Sequence, residues 1–278
     1  MKINKTSVLT LLCLYTVVTS AKADVIAYWQ FESGAMTVDS SGNGHTLVNS
    51  GTMASSSDSH ATNAPGSGSA YFDGGARMYT AADLDLRGVT KLTIEWFMLP
   101  QTSTQAFIWS HTYDPLVTSG GMWALLNGGG ADTVQTRFTE STGGGTALNA
   151  VAPVPGGSAN GQWHQYAMSL DASDGSLSAF KLYIDYVEVG TYTSSGNPSM
   201  TELVNQVFNI GARQNGAAPF TGYIDEMRIS NAILTPDQFL GAVPEPATVA
   251  LLGLTGLSTL TWHRLNKTGT QSSKLVKD

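Results

Sequence analysis

Short runs in which apolar and polar residues alternate cover most of the chain, and Gly, Asn, Asp, Ser or Pro punctuate most of the gaps. KLTIEWFML is the cleanest: Leu92, Ile94, Trp96 and Met98 fall on one side of an extended backbone, opposite Thr93, Glu95 and Phe97. That pattern predicts a half-buried strand. VIAYWQF (25–31) carries bulk on both sides, as a strand between two layers does. Further strands are predicted at AYFDG, ARMYTA, QAFIWSH, GMWALLN, TVQTRFTE, QWHQYAMSLD, AFKLYID with YVEVGTY, QVFNIGA and FTGYIDEMRIS. KLYIDYVEV reads as a hairpin pivoting near Asp185-Tyr186. LTPDQFL reads as one helical turn, with Thr235 as cap, Pro236 first and Gln238 completing a capping box. Short strands with no helical pattern between them predict an all-β sandwich, jelly roll or barrel. MASSSDSHATNAPGSGS (53–69) reads as a surface loop.

Composition adds processing and compartment to this picture. Lys2 and Lys5 precede an apolar stretch from Val8 to Val18, and Ala21-Lys22-Ala23 offers the small residues that a signal peptidase requires, so residues 1–23 read as a signal peptide. The single cysteine, Cys13, lies within it, and the mature chain then has neither disulfides nor a thiolate metal site. Between Asp24 and Pro246 seven Lys and Arg face twenty Asp and Glu, a net charge of −13. Such a balance argues against nucleic-acid binding, which needs a basic stripe, and suits divalent cations.

YWQFE, VDSSGNGH, AYFDGG, LTIEWFM, QWHQYAMSLD, KLYIDYVEVGT, FNIGAR and FTGYIDEMRIS, in that order, resemble the landmarks of laminin G-like domains of the concanavalin A-like lectin/glucanase superfamily. The resemblance spans roughly residues 25–240 and implies a jelly-roll sandwich of two antiparallel sheets over 24–240. Two positions depart from the family pattern: Asp185-Tyr186 stands where Asp-Gly is usual, and Phe31-Glu32-Ser33 where Phe-Asp-Glu is common.

The sequence offers candidates for three kinds of site. The loop Asp39-Ser-Ser-Gly-Asn43-Gly44-His45 gathers short oxygen side chains and glycines, as a hard cation requires, although Asp39 and Asn43 also suit ordinary turns. The resemblance implies a structural calcium held by Asp39, Asn43 and Asp225 with Glu32 or Glu226 helping. Trp109, Tyr113, Trp123, Arg137 and His111 are candidates for a sugar-binding face, since sugar rings stack on aromatics and their hydroxyls need polar partners; the competing reading places each Trp in the core. Trp29, Trp96 and Trp163 read as core residues. A glycosidase needs two carboxylates flanking the scissile bond, and the Glu-x-Asp-x-x-Glu strand of related glucanases is absent. Asp225 and Glu226 are adjacent and would face opposite sides of a regular strand. No nucleophile motif or histidine metal spacing appears, so the chain reads as non-catalytic.

At the other end, Val243-Pro244-Glu245-Pro246, an uncharged run over 247–262 and a basic end resemble the PEP-CTERM sorting signal of Gram-negative bacteria, here 243–267 with a tail at 268–278. This implies recognition at Pro244, Glu245 and Pro246 by an exosortase, cleavage near the membrane, and release or transfer to the cell envelope or extracellular matrix. A retained transmembrane anchor with the sandwich outside is the alternative, on a run slightly short of the roughly 17–25 residues that normally span a bilayer. The resulting expectation is a secreted or surface-displayed, non-catalytic module that binds glycans, such as a polysaccharide, or other extracellular matrix or surface molecules, against a structural envelope or matrix protein without a specific ligand or, third, a glycoside hydrolase.

Overall fold

Residues 24–60, 68–112, 121–139, 147–171, 180–194 and 205–242 are described by the structure, a computed structural model. The signal-peptide and sorting-tail segments and Tyr113 lie outside them. The first antiparallel sheet runs in the order β13 (Val187–Val189), β12 (Phe180–Ile184), β11 (His164–Asp171), β6 (Lys91–Pro100), β16 (Thr221–Ser230), β4 (Ser69–Asp73) and β3 (Ala54–Ser56). β1 (Val25–Trp29) also pairs with β16. In the second sheet the order is β14 (Thr191–Ser194), β10 (Ala147–Pro153), β9 (Thr133–Thr139), β8 (Gly121–Leu126), β7 (Ala106–His111), β15 (Asn209–Ile210), β5 (Arg77–Thr80) and β2 (Leu47–Ser50).

Alternation along the strands builds the core between the sheets. Trp29, Ile94, Trp96, Met98, Tyr166 and Ile224 of the first sheet meet Trp109, Met122, Ala124, Val134, Phe138 and Leu148 of the second. Aromatic rings tie the layers together. Trp96 stacks on Tyr166 at 5.6 Å and meets Trp109 edge-on at 5.8 Å; Phe208 stacks on both Trp109 and Trp29.

β6 faces as the alternation predicts, yet it is buried on both sides rather than half-buried. The reason is residues 231–242, which return over the outer face of the first sheet. Leu234 N–H donates to Thr93 Oγ1, Thr93 Oγ1 to the Ala232 carbonyl, and Leu240 N–H to Glu95 Oε2. In this segment Pro236–Gln238 forms a 3-10 turn, with Thr235 N–H donating to Gln238 Oε1 at 3.0 Å. Trp163 leaves the core set: it precedes β11, is only partly buried, and donates from Nε1 to Asp58 Oδ1. Residues 54–56 of the expected surface loop form strand β3, and Gly68 and Ser69 are buried.

The Asp185-Tyr186 hairpin keeps its tight turn without glycine. φ is 49° at Asp185 and 68° at Tyr186, the left-handed pair of a type I′ turn, at a cost for a non-glycine residue of roughly 1–2 kcal/mol. Tyr186 offsets that cost. Its ring packs with Ala167, Leu234 and Phe239, and its hydroxyl donates to the Leu240 carbonyl at 3.2 Å. Tyr186→Phe is expected to lower the unfolding free energy by about 1 kcal/mol in urea titration, because the Leu240 carbonyl loses its donor.

Candidate functional site

Two faces of the sandwich collect polar chemistry outside the core. On the outer face of the second sheet, Phe107 pairs across strands with Leu125, and Trp123 with Arg137. Phe107, Trp123 and Leu125 form a small apolar cluster of their own, separate from the main core. The 211–220 turn leans over them: Phe107 N–H donates to the Ala218 carbonyl, and Ala218 packs on the cluster. A pocket of about 340 Å³ opens here, with Gln105, Gln135, Arg137 and Arg213 around it. Next to it lies a second hollow of about 290 Å³, lined by Arg137, Ala147, Asn149, Thr193 and Ser194. Arg137 is common to both. Each aromatic floor residue carries a guanidinium, with Arg137 5.9 Å from the Trp123 ring and Arg213 5.7 Å from Phe107. Trp123 Nε1 and Arg137 Nε are buried and have no hydrogen-bond partner among the described residues.

Of the residues expected on a sugar-binding face, Trp123 and Arg137 stand there. Trp109 does not, because it is fully buried between the sheets. His111 is likewise fully buried, with Nε2 against the Leu84 carbonyl at 2.8 Å; burial lowers its pKa, which keeps the ring neutral. The sequence reading missed Phe107, Leu125, Gln135, Asn149 and Arg213. For the first four the signal was the cross-strand register of β7 to β10, since Gln135 opposes Leu125 and Asn149 opposes Arg137; Arg213 lies in the 211–220 turn and had no such signal.

The expected calcium ligands fall into two groups. Asp39 Oδ1 accepts backbone N–H bonds from Tyr28 and Ser41, and Oδ2 from His45; Asn43 Nδ2 donates to the carbonyls of Val25 and Ile26. Burial acts to raise the Asp39 carboxyl, but the bonds from Ser41, His45 and Tyr28 outweigh it and leave the pKa lowered. This group pins the loop to β1.

Asp225 and Glu226 form the other group, on the outer face of the first sheet. β4 pairs with Thr221–Ile224 of β16 and β1 with Met227–Ser230, and a bulge lies between Asp225 and Arg228, with Glu226 at φ 49°. The bulge breaks alternation, so both carboxylates reach the same side. Asp225 accepts from His60 Nδ1 at 2.8 Å, and Glu226 from the Tyr28 hydroxyl. His60, itself missed as a site residue, stacks on Phe97. Asp225 Oδ1 and Glu226 Oε1 are buried without hydrogen-bond partners among the described residues. Burial raises both pKa values; that of Glu226 reaches about 8, with nearby Asp225 and Glu32 adding to the rise against the Tyr28 hydrogen bond. Among the described residues, no three His, Asp or Glu side chains form a group that could hold a metal.

The raised Glu226 pKa makes folding stability depend on pH. Folded chains keep the proton in the window where unfolded chains, titrating near the ordinary 4.5, have released it. The stability it contributes is therefore full below pH 4.5 and lost as pH rises toward about 8. Thermal melts in chelator are expected to fall across that window, and Glu226→Gln is expected to flatten the slope.

Residues 72–239 match the sequence profile of the concanavalin A-like lectin/glucanases superfamily, of the laminin G type. The chain belongs to this superfamily. Residues 242–264 match the PEP-CTERM protein-sorting motif, which indicates export and sorting to the cell envelope of bacteria. Solved structures share the fold of this concanavalin A-like chain. Domain 4 of AbnA, a GH43 extracellular arabinanase from Geobacillus stearothermophilus in complex with arabinotriose, aligns at 22% identity with a TM-score of 0.55, covering 78% of this chain and 96% of that one. The binding domain of Paraclostridial Mosquitocidal Protein 1 aligns at 11% identity and a TM-score of 0.57, and the receptor binding domain of botulinum neurotoxin D at 11% and 0.53. The match covers 77% of this chain and half of each toxin chain. No curated protein sequence matches this concanavalin A-like chain.

Proposed function

We propose that this is a non-catalytic, exported glycan-binding module whose binding surface is the outer face of the second sheet. The observation that carries the reading is the double hollow around Arg137, where an aromatic floor lies beside the side-chain amides of Gln135 and Asn149. Apolar floors with a few placed polar groups are what a sugar ligand uses. A related fold binds arabinotriose in the arabinanase domain, which supports the reading. Among the described residues, the carboxylates of the outer strand faces that a hydrolase could recruit have partners: Glu95 with Arg228, Glu188 with Lys181, Asp225 with His60 and Glu226 with Tyr28. The tail supports processing by an exosortase in a Gram-negative bacterium, after a signal peptidase has acted at the other end, with membrane contact through 247–262 before release. Retention of the full chain on immobilised polysaccharides, lost in Trp123→Ala at unchanged circular dichroism, is the expected result. Retention on none of them would overturn the reading.

We further propose that calcium binds at the pair Asp225 and Glu226, without a third carboxylate, while Asp39 and Asn43 hold the loop. The two unpartnered buried oxygens suit a hard cation, and backbone carbonyls and water would complete its shell. Calcium is expected to raise the melting temperature over chelator, with no rise in Glu226→Gln; equal melts for the parent chain would exclude it.

A further inference from the structure

Gly128, Gly129 and Gly130 follow one another between β8 and β9, and each is small for a different reason. Gly130 has φ 135°, a backbone that side chains rarely adopt, and nothing crowds it. At Gly129 a Cβ would run into the Val151 side chain of β10. Gly128 has no left-handed φ, so its backbone would accept a larger residue. What a Cβ would meet there is the wall of the larger hollow. It would overlap Gln135 Oε1 and lie 2.5 Å from Leu125 Cδ2, and Gly128, Gln135 and Leu125 all line that hollow.

Neither the loop nor the amide is free to step aside. Asn127 N–H donates to the Thr133 carbonyl and Asn127 Nδ2 to the Thr104 carbonyl, while Asp132 N–H donates to Asn127 Oδ1. Asp132 Oδ1 in turn accepts from the Ser158 N–H and hydroxyl, so both ends of the loop are tied down. On the other side, Gln135 Nε2 donates to Asn149 Oδ1 at 2.6 Å, which leaves the oxygen of the amide as the end turned toward Gly128. That oxygen accepts no hydrogen bond among the described residues, and it is not one of the buried polar atoms left without a partner. An open acceptor beside the apolar floor of Phe107, Trp123 and Leu125 suits a hydroxyl borne on a ring with an apolar face.

We propose that Gly128 keeps this acceptor open, and that the ligand is a polysaccharide with an unsubstituted hydroxyl donated to Gln135 Oε1. The inference rests on the glycan-binding reading above and deepens it. Gly128 is a positioning residue: with a larger side chain there, the atoms that must give way are the tips of Gln135 and Leu125, one the acceptor and the other part of the floor. Both are ends of flexible side chains, so the fold tolerates the change while the hollow does not.

Affinity electrophoresis and calorimetry of the full chain with arabinan, glucomannan and xylan test it. Retention by at least one is expected, with binding at least about tenfold weaker for its O-methylated form, which has no proton to give Gln135. Gly128→Ala is expected to weaken binding about tenfold while melting at or slightly above the parent chain, since replacing glycine at an ordinary φ narrows the unfolded ensemble. A role in folding alone would move the two readings together. Gln135→Ala is expected to lose as much, and the double variant little more, because both changes remove the same acceptor. Gln135→Ala also reads the acceptor directly should Gly128→Ala fail to fold. Binding at parent strength in either single variant, additive losses in the double variant, or equal affinity for the O-methylated polymer would each overturn this inference and leave glycan binding standing. Retention of the parent chain by none of the three polymers would overturn both.

Discussion

Trp109→Ala is expected to lower the unfolding free energy by about 3–5 kcal/mol, read as a shift of the urea midpoint, because it empties the space of a fully buried ring packed between the two sheets. Trp109 is fully buried, edge-on to Trp96 and stacked on Phe208. Neither neighbour can follow a shortened side chain, since Trp96 is also stacked on Tyr166 and Phe208 on Trp29. At a temperature where the variant remains folded, its polysaccharide retention is expected to match the parent. A selective loss of binding with intact stability would return Trp109 to the ligand face.

A similar loss, about 3–5 kcal/mol, is expected for Arg228→Ala, for an electrostatic reason. Glu95 is 1% exposed; Arg228 donates to its Oε1, and Leu240 N–H to its Oε2. Burial raises the Glu95 pKa even with Arg228 and the Leu240 N–H opposing it, so losing the guanidinium leaves an unpaired carboxylate in a covered site. The deficit is expected to shrink at acid pH, where Glu95 takes up a proton. Combining Arg228→Met with Glu95→Leu is expected to recover most of the loss, because an apolar pair needs no desolvation of charge. Failure of the double variant to recover would show that Arg228 acts mainly through its bond to the Gln238 carbonyl.

The strands were legible because a half-covered sheet imposes a period of two, and KLTIEWFML displays it without interruption. The site was legible only in part, and bulges account for much of the difference. In QAFIWSH, Phe107 and Trp109 stand two apart and should share a face. The register shifts between them, so Phe107 joins Leu125 outside while Trp109 joins Ala124 inside. At β16 the same device acts in the opposite sense: neighbours Asp225 and Glu226, which alternation separates, arrive on one face. A bulge changes parity without any residue type that marks it. The covered outer face of β6 was hidden for another reason, since only the tertiary return of residues 231–242 buries Thr93, Glu95 and Phe97. Trp163 shows the converse, a residue flanking a strand whose pattern does not extend to it.

That returning segment also sets a direction. It crosses the outside of the first sheet through Thr93 and Glu95 and ends at Ala242, immediately before Val243-Pro244-Glu245-Pro246. Any force entering the domain at Ala242 therefore pulls on the first sheet, through hydrogen bonds that clamp the segment to β6. The second sheet lies on the far side of the core, so strain entering at Ala242 reaches it only by way of the rings packed between the layers.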